Sequence, residues 1–189
     1  MSVLLQKMTL AEFLAWEASQ PERFESRRGY VFRMDDVSAR HNRVTMNLAI
    51  RIDKHLDGTA CQVFATGMKV HTDQSILYPD VLVTCGKAAA GDDQLVLDPK
   101  LVIEIRPPTK GGDQHDRFNM YRSLASLREY ALIDPVAHRV EVFTMVETGA
   151  WAYADQTKNG ALTLHSIDLA MPLDAVFKGV KTAKGHTTP

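Results

Sequence analysis

The sequence predicts an α/β domain: a central, mixed and strongly twisted sheet with helices on both sides. Three observations carry that prediction. Two apolar runs, 81–84 behind Tyr78-Pro79-Asp80 and 101–105 (Leu-Val-Ile-Glu-Ile), have the length and β-branched content of buried strands. Val44, Leu48, Ile52 and Leu56 recur at helical intervals between Arg40 and Leu56, an apolar stripe suited to cover one sheet face. Arg117, Met120, Tyr121 and Leu124 repeat the pattern from Asp113 to Ser123 and suit the other face.

Taken in order, Thr9-Leu10-Ala11-Glu12 is a capping box that opens a short helix to about Ser19. After Pro21, the segment from Arg23 to Met34 reads as a hairpin turning at Arg28-Gly29. Ser38 or Asp36 caps the long helix. Past Gly58 come strands over 62–64, 67–71 and 80–84, with 72–78 as a loop, and a linker from Gly86 to Asp93 leads through Leu95 to the strand holding Glu104. Pro107-Pro108 ends that strand, because proline cannot donate to a ladder. Tyr130 to Ile133 is a strand closed by Asp134-Pro135, followed by a hairpin of 140–145 with 151–153, taken as terminal, and one shorter strand from Leu162 to Leu169. The expected organisation is one domain over 1–189, with its core at about 9–170 and a frayed polar tail at 181–189.

Composition narrows the function classes. The 189 residues, 45% hydrophobic and 24% charged, suit one ordinary globular core. Apolar runs this short exclude a spanning helix, and the first seven residues lack the pattern of a secretion signal, so a cytoplasmic location without membrane contact is expected. In that compartment Cys61 and Cys85 read as buried thiols. A net charge of -1 argues against binding nucleic acid through bulk positive charge. The early arginines 23, 27, 28, 33, 40, 43 and 51 read as a solvated surface, although a local basic cleft stays open.

The chemistry concentrates on Asp80 and Glu104. A carboxylate inside an apolar strand demands a cation, a metal ion or a proton. Alternation puts Glu104 and Arg106 on one face and Ile105 on the other. With Asp80 on a neighbouring strand the result is acid, acid, base, a set that suits Mg2+ or Mn2+ held by oxygen ligands. The competing reading is a pair of structural ion bridges to Arg106 and Arg117, and composition alone does not separate the two.

Several motifs in order then resemble those of the putative restriction endonuclease family within the PD-(D/E)XK nuclease superfamily, from about Thr9 to Val142. They are Glu25 in 24–29, His41 with Val44, Asn47 and Leu48, Pro79-Asp80, the run Glu104 to Pro108, Asp113 with Arg117 and Tyr121, and Glu129 to Pro135. The resemblance implies a restriction-endonuclease-like core and metal-dependent hydrolysis of nucleic-acid phosphodiesters, DNA foremost. Asp80, Glu104 and the Ile105 carbonyl would hold Mg2+ or Mn2+, Arg106 and Arg117 would meet phosphate charge, and Glu25 with His41 would form an outer ring. A homodimer is expected, since paired sites cut both strands of a duplex.

The departures are specific. Arg28 stands where relatives carry Asp, Pro107 where they carry Ser, and Arg117 where they carry Lys. Arginine stays protonated and cannot serve as a base, so Lys69 and Lys110 are the candidate substitutes. The same departures support an alternative, a degenerate nuclease fold that binds nucleic acid or protein without cutting. A structural or toxin-antitoxin-like interaction protein is a further possibility, motivated by the near-neutral charge. His41 reads equally as a helix-start residue, Glu25 has the competing reading of an ion-pairing hairpin residue, and the default role of Asp113 is a helix cap. Tyr121, Tyr130, Trp16 and Trp151 read as packing residues, and 72–78 and 86–93 as the loops able to read a substrate.

Overall fold

A computed structural model describes residues 3–86, 95–106 and 113–181. The chain runs β1 (Val3–Lys7), α1 (Leu10–Glu17), β2 (Phe24–Arg27), β3 (Tyr30–Arg33), α2 (Ala39–Leu56), β4 (Cys61–Ala65), β5 (Lys69–His71), β6 (Ser75–Leu77), β7 (Val81–Cys85), β8 (Leu95–Val96) and β9 (Pro99–Ile105). It continues with α3 (Asp113–Tyr121), β10 (Glu129–Asp134), β11 (Arg139–Met145), β12 (Trp151–Asp155), β13 (Ala161–Leu164), β14 (Leu169–Pro172) and α4 (Leu173–Val176).

Local chemistry sets the helix starts. Thr9 and Glu12 exchange capping hydrogen bonds at α1, and Ser38 accepts from the His41 amide at α2. The central sheet has the order β12-β11-β10-β9-β7-β4, with β9 and β10 parallel and the other neighbours antiparallel. Alternation sorts its two faces. Val81, Val83, Leu101, Ile103 and Ile105 pack with the Val44, Leu48, Ile52 and Leu56 stripe of α2, while Leu82 and Val102 pack with Phe118 and Tyr121 of α3. The α/β architecture with helices on both faces is therefore the one the sequence predicts.

A second six-stranded sheet, in the order β1-β3-β2-β6-β5-β8, was not foreseen. Its members are three to five residues long apart from the two-residue β8, too short for periodicity to reveal. It absorbs the middle of 72–78, expected to be a reading loop: Ser75, Ile76 and Leu77 are buried in β6. Beyond β12 the chain adds a further hairpin, β13 with β14, where one strand from Leu162 to Leu169 was expected. A 3-10 turn over His165–Ile167 splits that run.

Cys61 and Cys85 correct the expectation of free thiols. They face each other across the β4–β7 ladder and form a disulfide. Strand register decided this, because residues far apart in sequence become direct cross-strand neighbours. Among the described residues no helix is long and apolar enough to cross a membrane. The 86–93 linker beyond Gly86, Lys110, the Pro107-Pro108 stop and the tail beyond Lys181 lie outside the described residues.

Candidate active site

The site forms where β7 and β9 meet α2 and α3. Val81 pairs with Ile103, so one step further along the register Asp80 stands across from Glu104. Asp80 closes the ladder with its side chain: Oδ2 accepts from the Ile105 amide at 2.7 Å, and its backbone carbonyl accepts from the Thr66 amide. Oδ1 lies 2.8 Å from His41 Nε2. His41 occupies the first turn of α2 because Ser38 caps that helix, so cap and carboxylate are mechanically linked.

Glu104 is fully buried on the α3 side of the sheet. Its Oε1 accepts from Arg117 Nε at 3.0 Å, Arg117 Nη2 at 2.6 Å and the Tyr121 hydroxyl at 3.0 Å. Its Oε2 accepts from Arg106 Nε at 2.7 Å. Helical spacing puts Arg117 and Tyr121 one turn apart, so α3 delivers both donors to one oxygen. Arg117 also donates through Nη1 to Glu25 Oε2 at 2.6 Å. That oxygen is shared with Arg27, while Glu25 Oε1 accepts from the Tyr78 amide. One guanidinium thus ties the hairpin, the Glu104 strand and α3 together.

The charges are held by one another. Burial alone would raise the Glu25 carboxyl, yet Arg117, with help from Arg27 and Arg106, brings it down to about 2. Burial works against the Arg106 and Arg117 guanidinium groups, and the Glu104 and Glu25 carboxylates carry both above their ordinary values, with Asp80 adding to the effect at Arg106. Burial and Glu104 push the Tyr121 phenol up, which keeps it a donor.

A second buried cluster lies behind the first. The Tyr78 hydroxyl donates to Glu17 Oε1 at 2.5 Å, and Lys69 Nζ pairs with Glu17 Oε2 at 2.8 Å. Lys69 is therefore engaged with α1 rather than with Asp80 or Glu104. Among the described residues no group of three or more His, Cys, Asp or Glu side chains is spaced to hold a metal.

With this geometry in view, comparison with known proteins is decisive on kinship. Residues 10–174 match the model of the family described as Putative restriction endonuclease. The chain belongs to that family. Two uncharacterized proteins of Synechocystis sp. are similar to it: one is 27% identical over 177 residues, covering 92% of this chain and 93% of the relative. The other is 30% identical over 149 residues, covering 76% and 84%. The crystal structure of a putative nuclease from Anabaena variabilis superposes with a TM-score of 0.73 over 90% of this chain and 97% of that one, at 17% identity. That likeness establishes a nuclease-like fold.

Within this restriction-endonuclease family member, the structure brings Glu25, Glu104, Arg106 and Arg117 into one ion network and sets Asp80 and His41 at its edge. The sequence reading missed three participants. Tyr121 reads as a packing residue in the sequence, although its place beside Arg117 in the family motif and its i, i+4 spacing both hint at a shared target. Arg27 was taken as solvated, yet it is buried against Glu25 with its guanidinium 4.8 Å from the Phe32 ring. Tyr78 was read only as the start of a strand, although its amide, carbonyl and hydroxyl each meet a charged side chain.

Proposed function

We propose that this domain hydrolyses phosphodiester bonds in nucleic acid, DNA foremost, with Mg2+ or Mn2+ as cofactor. The observation that carries the reading is the asymmetry of the two carboxylates. Each has one oxygen fixed inside, Asp80 Oδ2 on the Ile105 amide and Glu104 Oε1 on Arg117 and Tyr121. The other oxygen of each faces a less buried partner: His41, with a side chain 13% exposed, and Arg106, at 23%.

This donor set fits a hard divalent ion. Asp80 Oδ1, Glu104 Oε2 and the Ile105 carbonyl would hold it, with water completing the shell. A bound ion supplies charge neutralisation at the phosphoryl group and acidifies water. The side chains do the rest. Arg106 turns outward, exchanging Glu104 for substrate phosphate, while Arg117 keeps Glu104 and Glu25 aligned without leaving its place. His41 orients Asp80. A homodimer, which would present two such sites to a duplex, belongs to the same reading and is checked by analytical ultracentrifugation.

A second reading rests on one specific observation: both oxygens of Glu104 are already held by guanidinium groups. A domain arrested in that state would bind nucleic acid or a protein partner without cutting. Incubation with plasmid, single-stranded DNA and RNA in Mg2+ or Mn2+ separates the two. Cleavage that drops at least about 10²-fold on the double substitution Asp80→Ala/Glu104→Ala supports hydrolysis. Equal product from both proteins refutes the site. Absence of cleavage, with no calorimetric heat from either metal, favours the non-cutting module.

A further inference from the structure

We infer that the cavity beside Asp80 seats a single unpaired nucleobase, which makes single-stranded or locally opened nucleic acid the preferred substrate. The inference rests on the nucleic-acid reading above and names the form of that substrate. The cavity holds about 570 Å³, within the range of small-ligand sites, and is continuous with the candidate site because Asp80 forms part of its wall.

Its lining is asymmetric in a way that suits a nucleotide. Met34 and Val37 supply an apolar side, and Val37 is left 59% exposed. Arg23 supplies a fixed cation. Its guanidinium lies 5.7 Å from the centre of the Tyr78 ring and crosses over Gly67, where a Cβ would come within 3.1 Å of Nη1. Gly67 also has φ +86°, so the turn between β4 and β5 needs glycine for its backbone. Among the described residues no carboxylate pairs with Arg23, which leaves its donors for an anion.

Asp35 and Asp36 also line the cavity. The Asp36 charge opposes a run of phosphates, so the backbone does not track through. A base enters instead, and its flanking phosphate meets Arg23. Bases in a duplex are stacked and paired, and drawing one into the cavity breaks contacts that an unpaired strand has not made.

The test measures fluorescence anisotropy in EDTA, with a labelled mixed-sequence 12-mer single strand and the same strand in duplex. Wild type is expected to hold the single strand about tenfold more tightly. Arg23→Ala and Val37→Asn, both surface changes that should leave Tm unaltered, are expected to bring that ratio close to one, and Arg23→Ala to lower the salt slope by about 0.7. A wild-type ratio of one, or a ratio that survives both substitutions, overturns the base seat. Because no metal is present, the outcome is independent of cleavage. Mg2+-dependent cutting with no strand preference would discard the seat and keep the nuclease, and strand preference without cutting would do the reverse.

Discussion

Arg117 and Glu104 meet with no solvent exposure on either side chain, Nη2 of one 2.6 Å from Oε1 of the other. The same guanidinium reaches Glu25 through Nη1. A buried ion pair gains little over an apolar replacement of the whole group, but removing one partner strands the others in a dry interior. Arg117→Ala leaves two buried carboxylates without their shared cation. Urea unfolding should show a loss of about 3–5 kcal/mol.

Arg117→Lys separates stability from chemistry. Lysine keeps the charge but loses the fork that serves Glu25 and Glu104 together, so stability should fall by about 1–3 kcal/mol. It also supplies a side chain able to exchange a proton. On the proposed hydrolytic reading, cleavage in Mg2+ should rise by about 10²-fold, measured as single-turnover rates at equal occupancy.

Arg106 competes with any metal for Glu104 Oε2. Arg106→Gln removes a positive charge from the proposed cation seat, and Mn2+ titrated by calorimetry should bind about tenfold more tightly, a gain of about 1.4 kcal/mol. Cleavage should fall all the same, because the phosphate loses its arginine. Unchanged metal affinity would show that Arg106 does not occupy the ion's place.

Acid should unfold the domain through Glu25. Its carboxyl is depressed from the usual 4.5 to about 2 in the fold, so the folded state binds fewer protons than the unfolded one between those values. That contribution is fully present above about pH 5 and is lost as pH falls toward 2. It is on the order of 3 kcal/mol. Tm recorded from pH 7 to pH 2 should fall more steeply for wild type than for Glu25→Gln.

The disulfide should be visible in the same measurement. Cys61 and Cys85 stand 24 positions apart in sequence, and opening such a loop costs about 3 kcal/mol in the chain-entropy account. Dithiothreitol should lower the Tm of wild type and leave that of Cys61→Ala/Cys85→Ala unchanged.

Where the chain carries long periodic signals, its sequence was enough. The α2 stripe, the capping box at Thr9, the hairpin turn at Arg28-Gly29 and the apolar strands around Asp80 and Glu104 depend on neighbours within about one turn or one strand, and each forms where those residues require. Motif order over most of the chain was enough to indicate the family. The second sheet escaped because each of its strands is too short to carry a period, and its stability comes from partners far away in sequence.

The sequence alone determined that Asp80 and Glu104 must each find a charge partner, since neither can stay ionised among apolar residues. Only the tertiary structure decided which partners they found. Arg117 bonds residues 13 and 92 positions away, Tyr121 turns its hydroxyl inward to Glu104, and Cys61 faces Cys85. Those choices follow from strand register and helix placement, which are set by burying the whole core at once and leave no local mark on the chain.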